Sequence, residues 1–271
     1  MTTIYDSASI RSPALHELRE LWRYRDLLRL LVSNSIKTRY KRSALGIIWT
    51  LLNPLLTMLV LTVAFSQLFR FSVENYTIYL LVGLIFWNFF SQTTTQSMNT
   101  LVWGSPLIKR IYLPRTIFAF AVLGNGLTNY LLALTPLALA MWITHHPFHL
   151  SLLWLPLAIL LLAIFTLGLS LFMSTLAVYF VDVVEMYSIL LTVWFYLTPV
   201  IYPLEIVPEQ FLPLVRLNPM TSMLALFRTI IYTGQTPALE AWLVAAGLAL
   251  VTLGLGWLIF TRRANDFAYR I

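Results

Sequence analysis

Long apolar runs separated by short polar stretches fill most of the chain. Six of them, residues 44–69, 76–98, 115–144, 152–180, 186–202 and 239–260, are predicted to cross a membrane, because ~20 mainly apolar residues span a hydrocarbon core of about 30 Å. The pattern breaks between the fifth and sixth runs, in WFYLTPVIYPLEIVPEQFLPLVRLNPM, residues 194–220. Pro199 and Pro203 interrupt the end of the fifth run, and Pro208 follows close behind. Asn218-Pro219 then sets a capping side chain before a proline at the first helical position. Met220, Met223, Leu224, Phe227 and Ile231 follow an i, i+3, i+4 rhythm until Gly234, which marks a helix with one apolar face. Apolar helices of roughly 10–14 residues suit re-entrant or interfacial positions better than crossing ones. One side of the membrane is therefore predicted to carry a broken, two-part helical structure.

Other local patterns are clear. Residues 17–42 read as an amphipathic helix, with Leu28, Leu31, Val32 and Ile36 on one side and Arg29, Ser33, Lys37 and Lys41 on another. With Trp22 ahead of them, they fit a helix lying on the membrane with its basic face towards lipid phosphates; the alternative is a solvated cytoplasmic helix. The first span holds Trp49 and then Asn53-Pro54, where the missing backbone donor predicts a kink. The second carries Phe86, Trp87, Phe89 and Phe90 near its middle, away from the span ends where interfacial aromatic belts form. Helix packing is the competing explanation for each ring. In the connection between spans two and three, Ser105 and Pro106 start a short helix and Pro114 stops it. Leu107, Ile108 and Ile111 share one face of that helix, and Lys109 and Arg110 flank it. Its exposed apolar groups suggest docking to another protein, against the simpler reading of a basic connector.

Charge gives the orientation. Apolar residues make up 59% of the 271 and charged ones 11%, far from the soluble balance of roughly 45–50% and about 25%. The net charge of +7 could suggest nucleic acid, but the basic residues are arranged by topology. Of the 18 Lys and Arg, nine precede the first span, three lie between spans two and three, and three follow span six. Only Arg70, Arg216 and Arg228 fall on the other side. This asymmetry places both termini in the cytoplasm and the 194–220 stretch on the outer face. The charged first forty residues contain no apolar run long enough for a signal peptide, the longest being Leu30-Leu31-Val32.

Several chemistries are absent from the sequence. With no cysteine there is no disulfide, thiolate metal site or thiol nucleophile. No GxxxxGK[ST] loop is present, so the chain does not bind ATP in that manner. Proton- or ion-coupled carriers place Asp, Glu or His inside the bilayer, at a cost on the order of 2.5–3.5 kcal/mol each on insertion scales, and none lies mid-span here. His145, His146 and His149 raise a metal site, but Pro147 spoils the helical spacing and no carboxylate is near. Asp182 and Glu185 read as a solvated cytoplasmic turn. No catalytic, cofactor-binding or metal residue is assigned, and the energy for any transport has to come from elsewhere.

The chain resembles the transmembrane subunit of ABC-2 type polysaccharide exporters, the group that exports O-antigen, capsule or teichoic acid. The resemblance rests on YKRSALGIIWTLLNP at residues 40–54, on Leu197-Thr198-Pro199-Val200-Ile201-Tyr202, and on Asn218-Pro219-Met220. The chain has Val181-Asp182 where the family often has Arg-Asp. The resemblance implies an all-α fold of the bacterial cytoplasmic (inner) membrane. An N-terminal segment, residues 1–43, carries the interface helix, and residues 44–271 form a six-span domain with re-entrant helices at 208–217 and 219–232. It implies a homodimer working with two copies of a separate ABC ATPase, which holds the ATP and Mg, and a lipid-linked glycan passing between the protomers through a channel lined mainly by spans one and five. No nucleic acid is involved. Ser105, Pro106, Leu107, Ile108, Lys109, Arg110 and Ile111 look like the coupling helix to the ATPase. Trp49, Trp87, Phe90, Tyr187, Trp194 and Thr198 are the implied channel and glycan contacts, the last three on one helical face. Pro199, Tyr202, Pro208, Asn218, Pro219 and Met220 form the implied outer gate loop, and Trp22, Arg29, Lys37 and Lys41 the interface helix. An ABC-2 exporter of a small hydrophobic molecule and an integral-membrane enzyme of lipid or glycan synthesis are the alternatives. The aromatic residues and the Asn218-Pro219 loop argue against the first, and the lack of converging titratable groups against the second.

Overall fold

A computed structural model describes residues 13–40, 52, 55–57, 59–60, 75–103, 114–264 and 267. Among these, all regular structure is helical. Two helices open the chain, α1 (Pro13–Arg23) and α2 (Arg25–Tyr40). The amphipathic segment is thus two helices, where one over 17–42 was expected. The joint is slight, since Tyr24 N–H still donates to Glu20 O and Leu28 N–H to Tyr24 O.

The long helices follow the apolar runs. They are α3 (Tyr76–Val102), α4 (Thr116–Ile143), α5 (Leu155–Tyr179, entered through a 3₁₀ turn, Leu150–Trp154) and α9 (Leu239–Arg263). By length and composition, α4, the Leu150–Tyr179 unit and α9 can each cross a membrane. Helix α3 is as long, about 40 Å at 1.5 Å per residue, but polar in its second half. Part of that polarity faces inward, with Thr93, Thr94 and Ser97 buried and Ser174 Oγ of α5 donating to Ser97 Oγ at 3.3 Å, while Gln92 and Gln96 are exposed. The position of α3 between α4 and α5 accounts for the buried hydroxyls.

Helices α5 and α9 form the tightest crossing. A Cβ added at Gly256 would collide with the Gly168 carbonyl, and one at Gly168 with the backbone of Thr252 and Leu253. Without side chains at these positions the two backbones touch, which is how helices associate where no hydrophobic driving force distinguishes lipid from protein.

The N-terminal pair is seated on α4. Thr116 Oγ1 donates to Glu17 Oε2 at 2.7 Å, and the Val32 side chain fills the space above Gly124, eight residues later. Eight residues correspond to about 12 Å along the α4 axis. The apolar side with Val32 thus has a protein partner, while Trp22, Arg29 and Lys37 are exposed. The Arg25 guanidinium lies 5.5 Å from the Trp22 ring, and Arg29 pairs with Asp26 at 3.5 Å. Arg115, at the foot of α4, donates to Ala264 O just beyond α9.

Helix α6 (Val183–Leu197) stops short of the expected span, 186–202. Its 15 residues cover about 22 Å, less than a core of about 30 Å. Pro199 is the cause: it forces the preceding residue out of the helical region, and Thr198 is extended at φ −97°, ψ 133°. Residues 198–203 continue irregularly into 3₁₀ turns at Leu204–Ile206 and Glu209–Phe211, then short α7 (Leu212–Leu217) and α8 (Pro219–Ile231). The expected two-part structure is present. Met220, Met223, Leu224, Phe227 and Ile231 are all buried, so the rhythm of α8 marks its inner face, set against α3, α5 and α9.

Candidate functional site

The broken end of α6 concentrates the polar interactions of the molecule. Once the helix stops, its last carbonyls and those of the irregular segment lose their intrahelical donors. A carbonyl at membrane depth is costly when unpaired. Side chains from α3 and α8 supply the missing donors. Asn218 Nδ2 donates to Leu197 O at 3.3 Å, Arg228 Nη2 to Val200 O at 2.9 Å, Tyr76 Oη to Ile201 O at 2.7 Å and Tyr79 Oη to Tyr202 O at 3.0 Å. The Thr198 carbonyl accepts from Val200 N.

Asn218 works in two directions. Its Oδ1 accepts from Met220 N at 3.0 Å, the N-cap of α8, and from Trp194 Nε1 at 2.8 Å. Its Nδ2 also donates to Thr198 Oγ1 at 2.9 Å, and Thr198 Oγ1 donates to Trp194 O at 2.8 Å. One buried amide thus starts α8 and fastens it to the last turn of α6.

Arg228 holds the other side of the break. It lies two turns beyond Met220, on the same stripe as Met220 and Leu224, and is directed inward. Its Cζ sits 3.5 Å from the centre of the Tyr79 ring. Gly83 makes room, since a Cβ there would approach Val200 O to 2.7 Å and Arg228 Nη2 to 3.4 Å. Among the described residues Arg228 Nε has no hydrogen-bond partner. Sequence reading passes over Arg228, Tyr76 and Tyr79, treating Arg228 only as one of three outer basic residues. The available signal is a single charge in the otherwise uncharged PMTSMLALFRTII, since a lone charge in an apolar helix is rarely there without a partner.

Below the break lies an aromatic cluster. Phe90 packs edge-on against Trp194 at 5.3 Å between ring centres, Trp87 lies 5.4 Å from Phe195, and Phe86 5.3 Å from Phe227. Tyr187 Oη donates to Thr94 Oγ1 at 2.8 Å. Of the expected channel contacts, Phe90, Tyr187 and Thr198 are 0–1% exposed and Trp87 is buried. The face that Tyr187, Trp194 and Thr198 share is turned into the protomer, against α3, and only Trp194 stays half open. The open side of α6 carries Met186, Ile189, Leu190, Val193 and Tyr196. Pro199, Asn218 and Met220 of the expected outer loop are buried, Pro219 and Tyr202 half-buried, and Pro208 exposed. Trp49, Lys41 and the Ser105-to-Ile111 stretch lie outside the described residues.

The histidines are placed by α8. His146 Nε2 lies 3.2 Å from Ile231 O at the helix end, and its ring stacks on Tyr232 at 5.9 Å. Ser151 Oγ donates to Ile230 O, and the His149 ring occupies the space that a side chain at Gly234 would need. These residues close the C-terminus of α8. Among the described residues no three His, Cys, Asp or Glu converge as a metal site.

A short helix broken by proline, caught by a capped second helix, lies within the part of the chain that matches a known family. Residues 26–232 match the ABC-2 type transporter pattern, from the start of α2 to the end of α8. The chain belongs to the ABC-2 type transporter family. It is 32% identical over 262 residues to the O-antigen export system permease protein RfbA of Myxococcus xanthus, covering 94% of this chain and 98% of that one. It is 31% identical over 246 residues to the RfbA of Klebsiella pneumoniae, covering 90% and 94%. To the polysialic acid transport protein KpsM of Escherichia coli it is 25% identical over 240 residues, covering 86% and 92%. As an ABC-2 membrane subunit, the chain is a multi-pass membrane protein without ATPase activity or a cofactor of its own, and it works with an ATPase subunit.

Proposed function

We propose that this chain is the permease of an ATP-driven exporter that moves a lipid-linked polysaccharide, of O-antigen or capsular type, across the bacterial cytoplasmic membrane. The observation that carries this reading is the end-to-end similarity to the Myxococcus xanthus O-antigen permease, which leaves almost no part of either chain unmatched. In this reading the chain crosses the membrane six times with both termini in the cytoplasm, and two copies assemble with two ATPase subunits. Residues 105–111 dock on the ATPase, and the basic side of α2 meets lipid headgroups. The glycan passes between protomers along span one and the open side of α6. Trp194 reaches that path from its half-open position, while Trp87, Phe90, Tyr187 and Thr198 shape α6 from behind. ATP binding draws the ATPase subunits together, the coupling helices follow, and the protomers shift to admit and advance the chain.

The test is reconstitution of the permease with its cognate ATPase in liposomes. Lipid-linked glycan should reach the lumen when ATP is supplied. Export of a small hydrophobic dye with no glycan movement would replace this reading by that of a small-molecule exporter. Leu107→Asp with Ile108→Asp should leave membrane insertion intact and abolish co-purification of the ATPase; an intact complex would make residues 105–111 a connector only.

A further inference from the structure

The clamp on the far side of the α6 break has a consequence for export. Tyr76 and Tyr79, both from α3, each bond one carbonyl of the irregular segment. Asn218 and Arg228 join that segment to α8, and they do so at two points. Asn218 stands before the first turn and Arg228 ten residues later, about 15 Å along the axis. The far end of α8 is also held by Ser151 and His146, on the connection between α4 and α5; Arg228 is what ties that end to the segment after α6. Through Arg228 this second fastening also includes α3, because the same guanidinium lies over the Tyr79 ring. Among the described residues no carboxylate lies within ion-pair distance of it. Glu205 lies near enough to act on the guanidinium electrostatically, yet burying a charge is costly even when an opposite charge is near, and apolar packing of similar volume is often at least as stable. Stability alone therefore gives little reason for an arginine here. What arginine provides is a planar donor edge and a flat cationic face at once, so that one group reaches a carbonyl and an aromatic ring on two different elements.

We infer that Arg228 is a positioning residue for export: its guanidinium locks the irregular segment after α6 to both α8 and α3, so that α8 moves with the end of α6. This rests on the exporter reading for its consequence, but the lock itself can be tested without any glycan. Because the chain has no cysteine, a single Ile201→Cys makes a specific reporter. Ile201 is buried inside the clamped segment, and its cysteine should react slowly with a membrane-impermeant maleimide added from outside to the full permease–ATPase complex.

Arg228→Gln in that background should speed labelling by about tenfold or more, the factor expected for losing a charge-assisted hydrogen bond. Assembly and ATP hydrolysis should persist while glycan exported per ATP hydrolysed falls. Arg228→Lys, which keeps the charge without the flat fork, should fall between the two in labelling and in the export ratio. An assembled Arg228→Gln complex that labels like its parent would overturn the inference, leaving Arg228 as packing. If Arg228→Gln fails to assemble, Arg228→Lys decides alone, and parental labelling and export ratio would equally overturn it. Absence of glycan export in the unsubstituted complex would count against the exporter reading, and the labelling series would still judge the lock.

Discussion

The α5–α9 crossing and the broken end of α6 are held together by opposite means. At the crossing, Gly168 and Gly256 remove side chains until backbones meet, and no side-chain hydrogen bond is needed there. At the break, backbone groups are freed by Pro199, and side chains from α3 and α8 are added to pair with them. The first arrangement works only in one position, because a close backbone contact has no second minimum nearby. The second is a set of individual donors, two tyrosine hydroxyls, an amide and a guanidinium, each of which can be removed singly. The contrast separates a scaffold set by backbone contact from a region set by side-chain ties.

The scaffold should be the easier to break. Gly256→Leu puts a branched side chain against the Gly168 carbonyl with no direction in which to yield. Overpacking costs typically 1–3 kcal/mol and occasionally more, and with backbone on the receiving side we expect the upper end. The permease should be lost from the monodisperse fraction on size exclusion, while Gly254→Leu, where a Cβ meets nothing, should behave like the parent. Equal behaviour of the two would remove the crossing from the scaffold.

Asn218→Ala comes next. It deletes the α8 cap, worth ~1 kcal/mol, and leaves the Trp194 indole N–H without its partner, a further cost of about 1–3 kcal/mol. We expect a lower thermal midpoint in detergent with the complex still assembled. A drop no larger than that of an ordinary cap deletion would show that the Trp194 and Thr198 bonds contribute little.

Trp194→Phe is smaller and more informative. It keeps an aromatic ring against Phe90 while removing the N–H that Asn218 accepts, so it should cost about 1 kcal/mol and leave glycan export near the parental level. Trp194→Leu removes the flat ring as well. If glycan slides past this ring, export should fall in the Leu variant and persist in the Phe variant; equal export in both would take Trp194 off the glycan path.

Tyr76→Phe should have the least effect. It removes one donor, to Ile201 O, from a half-buried position where water can replace it. Loss of as much stability as in Asn218→Ala would mean that water does not reach the break.

Much of this was legible along the chain because it depends on neighbours in sequence. Apolar length gave α4, α5 and α9. Pro199 gave the irregular end of α6, Asn218-Pro219 the start of α8, and the Met220–Met223–Leu224–Phe227–Ile231 rhythm its buried face. Helix α6 is shorter than its apolar run, which continues past the proline that ends the helix.

The direction of the α6 face was a different matter. Periodicity shows that Tyr187, Trp194 and Thr198 share a side and that Glu185, Ser188 and Thr192 form an exposed polar stripe on the other, but polarity alone does not say which of the two sides faces a channel and which packs inside the protomer. Packing against α3 turned that side inward and left Met186, Ile189 and Tyr196 outside. The donors that close the break were also decided only by the tertiary structure. Tyr76 and Tyr79 lie more than 120 residues from the carbonyls they serve, and Arg228 lies 28 from its own. Local sequence determines where a backbone must lose its hydrogen bonds, because proline and helix ends act within a few residues. Which side chains replace those bonds depends on the three-dimensional packing of α3, α6 and α8, since a donor reaches only as far as hydrogen-bond distance.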